Sequence, residues 1–351
     1  MNKPWQDKLR QIEPYVPGEQ PKVADIVKLN ANENPYPPSP RVMEILHKFD
    51  AARLRKYPDA NAGCLRTALA KYFGLEGSQI FMGNGSDDVL ALCFQAFFCS
   101  EKPIFFPDLT YSFYPVWCSL FRVPYETIPL DENYRIHPSD YVRENGGVVL
   151  PNPNAPTGIG EGLDFIRQML DANPDAVVII DEAYIDFGGI SAVPLLKEYE
   201  NLVIVQTMSK SRSLAGLRVG YALASPALIA TLEAVKNSYN SYTMDMVTLE
   251  AAAAAVEDDT YFQQTCSKII ETRTRTTETL RKLGFTVLDS QANFVLASHP
   301  VMAAKAIFEA LKAQGVFVRY FSLPRVDNHL RITIGTDAEM DKLFAALQKI
   351  L

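Results

Sequence analysis

Short apolar segments alternate with segments of helical periodicity from about residue 60 to residue 236. Seven segments of the first kind occur, at Gln79–Met82, Pro103–Phe106, Val123–Ile128, Val148–Leu150, Ala176–Ile180, Leu202–Gln206 and Val219–Ala224. Those of the second kind are Ala62–Phe73, Ser86–Phe98, Tyr111–Leu120, Gly162–Leu170 and Pro226–Lys236. Because parallel strands need a crossover, usually a helix, this alternation is typical of a parallel sheet covered by helices. The sequence predicts an α/β fold with a mostly parallel seven-stranded sheet flanked by helices.

After Val235 the pattern changes and predicts a second, smaller α+β lobe. Its predicted helices are Leu249–Val256, Tyr261–Leu283, Val301–Gln314 and Ala338–Ile350, and its predicted strands are Thr286–Leu288, Asn293–Ala297, Val316–Arg319 and His329–Thr333. The first thirty residues show little periodicity and predict an arm that packs on this lobe or on a partner subunit. We expect the arm and part of the small domain in residues 1–50, a large domain in 51–240 and a small C-terminal domain in 241–351.

Composition limits the classes of partner. The chain has 351 residues, of which 48% are hydrophobic, enough for one large core or for two lobes around a shared sheet. Its 41 acidic residues outnumber 34 basic ones, and the net charge is −7. This balance disfavours nonspecific binding to nucleic acid or to an anionic membrane, so we expect neither as a partner. Any anion must be bound by a local pocket.

The cysteines indicate free thiols. Five of them occur without a Cys-x-x-Cys pair, and the first residues lack the apolar stretch of a signal peptide. Reduced thiols are typical of the cytoplasm, which is the expected location. None of the four histidines stands at ligand spacing to a cysteine, so no metal site is predicted.

A glycine turn follows the first predicted strand of the sheet. Gly83 and Gly85 precede Ser86, Asp87 and the start of a predicted helix, where amide groups and the helix dipole favour a phosphate. The turn matches neither the P-loop pattern nor a full Gly-x-Gly-x-x-Gly. An ordinary helix cap is the alternative interpretation.

Asp181 and Lys210 each follow a predicted buried strand, so both are expected at the carboxyl edge of the sheet, where α/β folds bind ligands. A carboxylate there can hold a protonated pyridine nitrogen, and a lysine amine beside hydroxyls and Arg218 can hold a phosphorylated aldehyde. The two residues together indicate a pyridoxal-phosphate site. The alternatives are a helix-capping aspartate and a solvated surface lysine, although the small, apolar stretch after Lys210 disfavours the latter.

Two further segments have candidate ring contacts. Asn154 lies in the turn Pro151–Gly158, and its amide could donate to a phenolate-type oxygen. Tyr111 lies where a strand gives way to a helix, and its ring could stack on a planar cofactor. Turn formation and core packing are equally good explanations for these residues.

Several motifs, in this order, resemble the fold-type-I pyridoxal-phosphate aminotransferases, and among them the histidinol-phosphate aminotransferases. The resemblance covers nearly the whole chain. It rests on Leu29–Pro35, Lys56–Pro58, Gly83–Asp87, Asn154–Gly158, Asp181–Tyr184, Ser209–Lys210, Gly216–Gly220 and Leu330–Ile332. One position departs from the pattern, since the family usually has asparagine directly before Pro-Thr-Gly and this chain has Ala155. Asn154 would substitute from the preceding position.

The resemblance implies a role for each matching residue. Lys210 would attach covalently to the cofactor, Asp181 would pair with its pyridine nitrogen, and Tyr184 would hydrogen-bond its phenolic oxygen. Tyr111 would stack on the ring, and Tyr57 would reach the phosphate from the second subunit of a homodimer. The remaining predicted cofactor contacts are Gly85, Ser86, Asp87, Asn154, Thr207, Ser209 and Arg218.

The resemblance also implies a substrate site and a reaction. Arg331 would hold the substrate carboxylate, while Tyr15 and Arg319 are hypothesised to bind a phosphate end, with Asn32 in the segment that closes over the substrate. The implied reaction is ping-pong transamination between L-histidinol phosphate and 2-oxoglutarate, giving imidazole-acetol phosphate and glutamate, in histidine biosynthesis.

Other functions remain open at this point. An aromatic amino acid aminotransferase or a threonine-phosphate decarboxylase could use the same scaffold. A nucleotide-binding dehydrogenase or a non-catalytic regulatory protein belongs to another class, and only the glycine turn at residues 83–85 favours it.

Overall fold

The computed structural model describes residue 3 and residues 5–16, 18–21 and 25–351, so residues 1, 2, 4, 17 and 22–24 of the predicted arm lie outside the described residues. The α-helices in these ranges are α1 (Pro40–Lys48), α2 (Gly63–Phe73), α3 (Ser86–Phe97), α4 (Tyr114–Phe121), α5 (Leu163–Ala172), α6 (Pro226–Tyr239), α7 (Met246–Glu257), α8 (Asp259–Lys282), α9 (Ala304–Ala313) and α10 (Asp337–Ile350). The strands are β1 (Val27–Lys28), β2 (Ile80–Gly83), β3 (Ile104–Pro107), β4 (Tyr125–Ile128), β5 (Gly147–Pro151), β6 (Val178–Asp181), β7 (Leu202–Thr207), β8 (Gly220–Ala224), β9 (Thr286–Val287), β10 (Phe294–Ser298), β11 (Val316–Phe317), β12 (Arg319–Tyr320) and β13 (Leu330–Thr333).

The large sheet has seven strands in the order β2-β8-β7-β6-β5-β3-β4. Its pairings are parallel except at β8, which runs antiparallel to both β2 and β7. Strands β2, β3 and β5 to β8 are buried along their whole length, as expected of a sheet covered on both faces. Each of the seven predicted strands is present, and the prediction of fold class is confirmed.

The C-terminal part of the chain forms a smaller antiparallel sheet in the order β12-β13-β10-β9. The prediction of one strand at Val316–Arg319 was wrong, because the backbone divides it between two sheets. The first half, β11, pairs in parallel with β1, and the second half, β12, pairs with β13. Through β1, residues near the N-terminus join the C-terminal lobe, which is one of the two positions predicted for the arm.

Apolar side chains form separate clusters on the two faces of the large sheet and around the small sheet. Helix α7 packs against α1 and α2, and its residues Leu249 and Val256 belong to the cluster that includes Leu150 and Ile180 of the large sheet. The domain boundaries near residues 50 and 240 stay predictions. In the residues that the structure describes, every helix is too short or too polar to cross a membrane.

Candidate active site

The carboxyl ends of the parallel strands bring the predicted chemistry to one edge of the large sheet. Asp181 is the last residue of β6 and Thr207 the last residue of β7, so the loop with Lys210 follows directly. Gly220, at the start of β8, is the register partner of both Gly83 in β2 and Thr207 in β7. Open α/β sheets bind ligands at this edge.

Asp181 is a buried carboxylate, with 5% of its surface exposed. The Tyr114 hydroxyl donates a hydrogen bond of 2.8 Å to Oδ2, and the Ala183 amide donates one of 3.2 Å to Oδ1. Burial raises the pKa of Asp181 to about 6, although both hydrogen bonds act in the opposite direction. Among the described residues no cation pairs with Asp181, so the site favours a ligand that supplies one.

Lys210 Nζ lies over the Tyr184 ring, 5.9 Å from the ring centroid, and donates a 3.4 Å hydrogen bond to the Ala31 carbonyl oxygen. Within the described ranges it forms no ion pair with a carboxylate. The backbone around it is fixed, because the Asn34 side chain donates to the carbonyl oxygens of Lys210 and Ser211 at 2.9 and 3.1 Å. The amine is therefore available at the sheet edge while its main chain is held.

A polar cup surrounds Arg218. Its guanidinium lies 3.2 Å from Asp87 Oδ2 and 3.3 Å from Ser209 Oγ, and Thr207 Oγ1 donates to Ser209 Oγ at 3.0 Å. Helix α3 begins beside it at Ser86, so the helix dipole and unpaired amides of the first turn face the same region. A cation, two hydroxyls and a helix N-terminus form a set of donors that suits a phosphate.

Gly85 makes this cup possible. Its φ of +91° lies in the left-handed region, which glycine adopts without steric cost. A β-carbon at this position would lie 2.5 Å from Arg218 Nη2. A larger residue would therefore displace the guanidinium.

Tyr111 joins the cup through its hydroxyl, which donates a 2.8 Å hydrogen bond to Asp87 Oδ1. Burial, with the neighbouring Asp87 carboxylate, raises the pKa of Tyr111, so the phenol stays neutral. The helix predicted from Tyr111 begins instead at Tyr114, and this leaves Tyr111 on the loop between β3 and α4. Its predicted stacking on a cofactor ring stays a prediction.

The turn after β5 places Asn154 and Ala155 in different environments. Asn154 Nδ2 donates to the Leu109 carbonyl oxygen at 3.1 Å, and Oδ1 is buried without a hydrogen-bond partner among the described residues. One amide hydrogen thus remains for the ring contact that the sequence predicts. Ala155 packs in an apolar cluster with Phe294 and the Tyr184 ring, which explains why a small apolar side chain stands there.

The segment from Asn30 to Asn34 connects the parts of the site. The Asn30 carbonyl oxygen accepts a 3.1 Å hydrogen bond from Arg331, and Asn32 Nδ2 donates to the Tyr184 hydroxyl at 2.9 Å. Asn32 Oδ1 accepts from Thr333 Oγ1 at 3.0 Å. The amide of Asn32, predicted to bind substrate, is thus engaged by the protein on both atoms. The hydrogen of the Tyr184 hydroxyl is left for another acceptor.

The small sheet brings two arginines to the same region. Arg319 and Arg331 are register partners in the antiparallel pair β12–β13, so their side chains lie on one face. Burial lowers the pKa of Arg331, with Arg319 adding to the effect, while Tyr184, Tyr15 and Tyr111 oppose it. Tyr15 stacks on Phe113, with 4.2 Å between ring centroids, and is close enough to Arg331 to influence its pKa. The substrate-binding roles stay predictions.

Tyr57 lies away from this cluster. Its side chain is 80% exposed and stacks on Tyr242, with 4.6 Å between ring centroids. The described residues contain no group of histidine, cysteine or acidic side chains placed to hold a metal ion.

Sequence reasoning missed two contributors, Tyr114 and Asn34. Tyr114 lies in an aromatic run where no single hydroxyl stands out, and Asn34 was noted only within a resembling segment. Its position two residues after Asn32, in a run of polar residues, is the one signal that could indicate Asn34.

Residues 24–347 match the family model described as aminotransferase class I and II. The chain belongs to this family. This class I and II aminotransferase is 52% identical, over 354 residues, to histidinol-phosphate aminotransferase 2 of Dechloromonas aromatica, covering 100% of this chain and 99% of the relative. It is 50% identical to histidinol-phosphate aminotransferase of Clostridium acetobutylicum over 351 residues, with 100% of both chains covered.

Solved structures agree with the family. Histidinol-phosphate aminotransferase from Sinorhizobium meliloti, in complex with pyridoxal-5'-phosphate, superposes with a TM-score of 0.84 at 27% identity, over 92% of this aminotransferase and 90% of that chain. L-threonine-O-3-phosphate decarboxylase from Porphyromonas gingivalis superposes with a TM-score of 0.79 at 22% identity, over 92% and 99% of the two chains. The second likeness shows the fold alone. The resemblance to aminotransferases is confirmed, and the dehydrogenase interpretation is excluded.

Proposed function

We propose that this aminotransferase uses pyridoxal 5'-phosphate to transaminate between L-histidinol phosphate and 2-oxoglutarate, giving imidazole-acetol phosphate and glutamate, in histidine biosynthesis. One observation carries the proposal: a buried carboxylate, Asp181, and an amine, Lys210, share one sheet edge without a counterion among the described residues. Relatives that are 50% and 52% identical over the whole chain carry the name of this activity.

The residues present fit this cofactor. Bound pyridoxal phosphate supplies an aldehyde for covalent attachment and a ring that withdraws electrons from the substrate. Lys210 would hold the aldehyde carbon, Asp181 would hold the ring nitrogen and keep it protonated, and the Tyr184 hydroxyl would donate to the phenolic oxygen. The cup around Arg218 would hold the phosphate, with the amides of Ser86 and Asp87 and the hydroxyls of Thr207 and Ser209. Asn154 and Tyr111 would contact the ring.

We propose that Lys210 also acts as the base that moves the substrate proton. Once free, Lys210 Nζ would take the proton from the amine-bearing carbon of the substrate and deliver it to the cofactor carbon that had carried the aldehyde. Asp181 stays ionised while it pairs with the ring nitrogen.

The two arginines are proposed to recognise the substrate anions. Arg331 would bind the carboxylate of glutamate, while Arg319 and Tyr15 would bind the phosphate of histidinol phosphate, with Asn32 closing the site beside Tyr184. The two guanidinium groups lie on one strand face, and each can donate two hydrogen bonds, which suits a phosphate dianion at Arg319 and a carboxylate at Arg331.

We further propose a homodimer in the cytoplasm. The exposed side chains Leu54 (57%), Tyr57 (80%) and Tyr239 (76%) would be covered by a second copy, and Tyr57 would then reach the partner's phosphate cup. All five cysteines are free, as expected in a reducing compartment. Light scattering on the purified protein should give twice the mass of one chain, and Tyr57→Ala should weaken cofactor binding.

Two measurements test the activity. Borohydride treatment of the cofactor-loaded protein should label the peptide that contains Lys210; Lys210→Ala should lose the label and the activity, whereas the exposed-site control Lys197→Ala keeps both. With 2-oxoglutarate as acceptor, kcat/KM for histidinol phosphate should exceed that for phenylalanine by about tenfold or more. Preference for phenylalanine, or release of carbon dioxide from threonine phosphate, would replace the proposed reaction with that alternative.

A further inference from the structure

We infer that Arg325 is a positioning residue, which sets the distance of Arg319 and Arg331 from the loop with Tyr111. Arg325 lies between β12, which contains Arg319, and β13, which contains Arg331. The inference rests on the proposed function. Arg325 lies in the loop from residue 321 to residue 329, which connects β12 to β13. We call this segment the β12–β13 loop.

Three groups of the large-sheet part of the molecule hold Arg325. Nη1 lies 3.2 Å from Asp108 Oδ2, Nη2 donates to the Asp131 carbonyl oxygen at 2.6 Å, and the guanidinium lies 5.3 Å from the centroid of the Tyr134 ring. The Tyr134 hydroxyl donates back to the Arg325 carbonyl oxygen at 3.0 Å. Both the side chain and the main chain of Arg325 are therefore fixed to the same surface.

The backbone of Arg325 has a φ of +70°, which is unusual for a residue with a side chain. Such a conformation persists only where the surroundings hold it in place. The next residue supplies a second anchor, because Val326 is fully buried in the apolar cluster of the large sheet. The β12–β13 loop is thus docked by a guanidinium and an adjoining apolar side chain.

The contact between Arg325 and Asp108 lies at the start of the loop that contains Tyr111. Asp108 follows β3, and its Oδ1 accepts a 3.0 Å hydrogen bond from the Leu130 amide, so the carboxylate is held before Arg325 reaches it. The carbonyl oxygen of Leu109, the next residue, accepts a hydrogen bond from the Asn154 side chain. Tyr111 lies on the same loop. At the other end of the connection, Arg319 and Arg331 flank the β12–β13 loop.

This arrangement distinguishes positioning from general stabilisation. The side chains of Arg325 and Asp108 are 34% and 29% exposed, and a partly exposed ion pair contributes little to global stability. Its geometric effect is larger, because it ties the anion-binding arginines to the ring-binding loop, and small displacements of substrate-binding groups cost large factors in rate. Arg325 itself would not touch the substrate.

The test compares Arg325→Ala with Arg325→Lys in the cofactor-loaded enzyme. For Arg325→Ala we expect KM for histidinol phosphate and for glutamate to rise about tenfold, with kcat, the cofactor dissociation constant and the unfolding temperature near their original values. Lysine keeps the charge but reaches fewer acceptors, so it should recover part of the loss. Arg135→Ala is a matched control, since Arg135 forms a surface ion pair with Glu161 that does not involve the β12–β13 loop.

Two milder variants serve if Arg325→Ala fails to fold. Tyr134→Phe removes one hydrogen bond and Asp108→Asn removes one charge, and each should raise both KM values about threefold, within the range of one hydrogen bond. Unchanged KM values in every variant, or equal losses in KM, cofactor affinity and unfolding temperature, would overturn the inference. If the original enzyme does not use histidinol phosphate, the proposed function fails, while the glutamate half-reaction still tests Arg325.

Discussion

Gly220 lies directly against Ser86: a β-carbon on Gly220 would clash with the Ser86 amide nitrogen and the Gly85 carbonyl group. Strand β8 therefore touches the start of α3, and Arg218, just before β8, meets the first turn of that helix. Gly220 at the start of β8 and Gly85 in the turn before α3 thus decide whether the phosphate cup can close.

Substitution of Gly85 should damage the cup more than the fold. Gly85→Ala places a methyl group 2.5 Å from Arg218 Nη2 in a left-handed conformation, so we expect a loss of about 1–3 kcal/mol of stability and at least about tenfold weaker cofactor binding. Gly162→Ala is the control, because no atom lies within 4 Å of its added carbon. Thermal unfolding and cofactor titration would measure both effects. Wild-type cofactor affinity in Gly85→Ala would contradict the assignment.

Cofactor binding should depend on pH through Asp181. In the cofactor-free protein burial raises the pKa of Asp181 to about 6, so the group is a carboxylate above that pH and neutral below it. Only the carboxylate attracts a protonated pyridine nitrogen, so affinity should fall as the pH drops through about 6.

Asp181→Asn should flatten that pH dependence and weaken binding about 10- to 100-fold at neutral pH, whereas the exposed-site control Asp175→Asn should do neither. Absorbance titrations of the cofactor-free proteins between about pH 5 and 8 provide the measurement. A variant that keeps the pH dependence would show that another group causes it.

Arg319 should matter most for a phosphorylated substrate. Arg319→Ala removes one of two guanidinium groups on the same strand face, so KM for histidinol phosphate should rise about tenfold or more, and KM for phenylalanine much less. Steady-state kinetics with both substrates check this, with Lys305→Ala as a surface-charge control. Equal effects on the two substrates would remove Arg319 from phosphate recognition.

Restoring the usual family residue at position 155 should not help. Ala155→Asn buries an amide in the cluster with Phe294 and Tyr184, so we expect a loss of about 1–3 kcal/mol of stability without tighter cofactor binding. In contrast, Asn154→Ala should weaken cofactor binding. Thermal unfolding and cofactor titration of both variants decide between the positions, and tighter binding by Ala155→Asn would favour position 155.

The strands and the order of the motifs could be predicted because their signals are local. Asp181 ends an apolar run of five residues, and this is sufficient to place it at the end of a buried strand. Thr207 and Gly83 follow from the same argument. Since parallel strands end at a common edge, the sequence also indicated that these residues would meet.

Contacts between distant segments could not be predicted in this way. The hydrogen bond from Asn34 to the Lys210 carbonyl joins residues separated by 176 positions. Likewise, the division between β11 and β12 depends on which sheet each half can pair with, and the short segment Val316–Arg319 does not carry that information. The guanidinium contacts of Arg325 are of the same non-local kind.

The insertion of β8 between β2 and β7 has a consequence for biogenesis. The helix start at Ser86 follows β2, on one side of β8, and the hydroxyls of Thr207 and Ser209 lie at the end of β7, on the other side. The phosphate cup therefore forms only after β8, the last strand of the large sheet to be synthesised, has entered the sheet. A nascent chain that lacks β8 would hold only scattered pieces of that cup. Binding of pyridoxal phosphate would therefore mark a molecule whose large sheet is already complete.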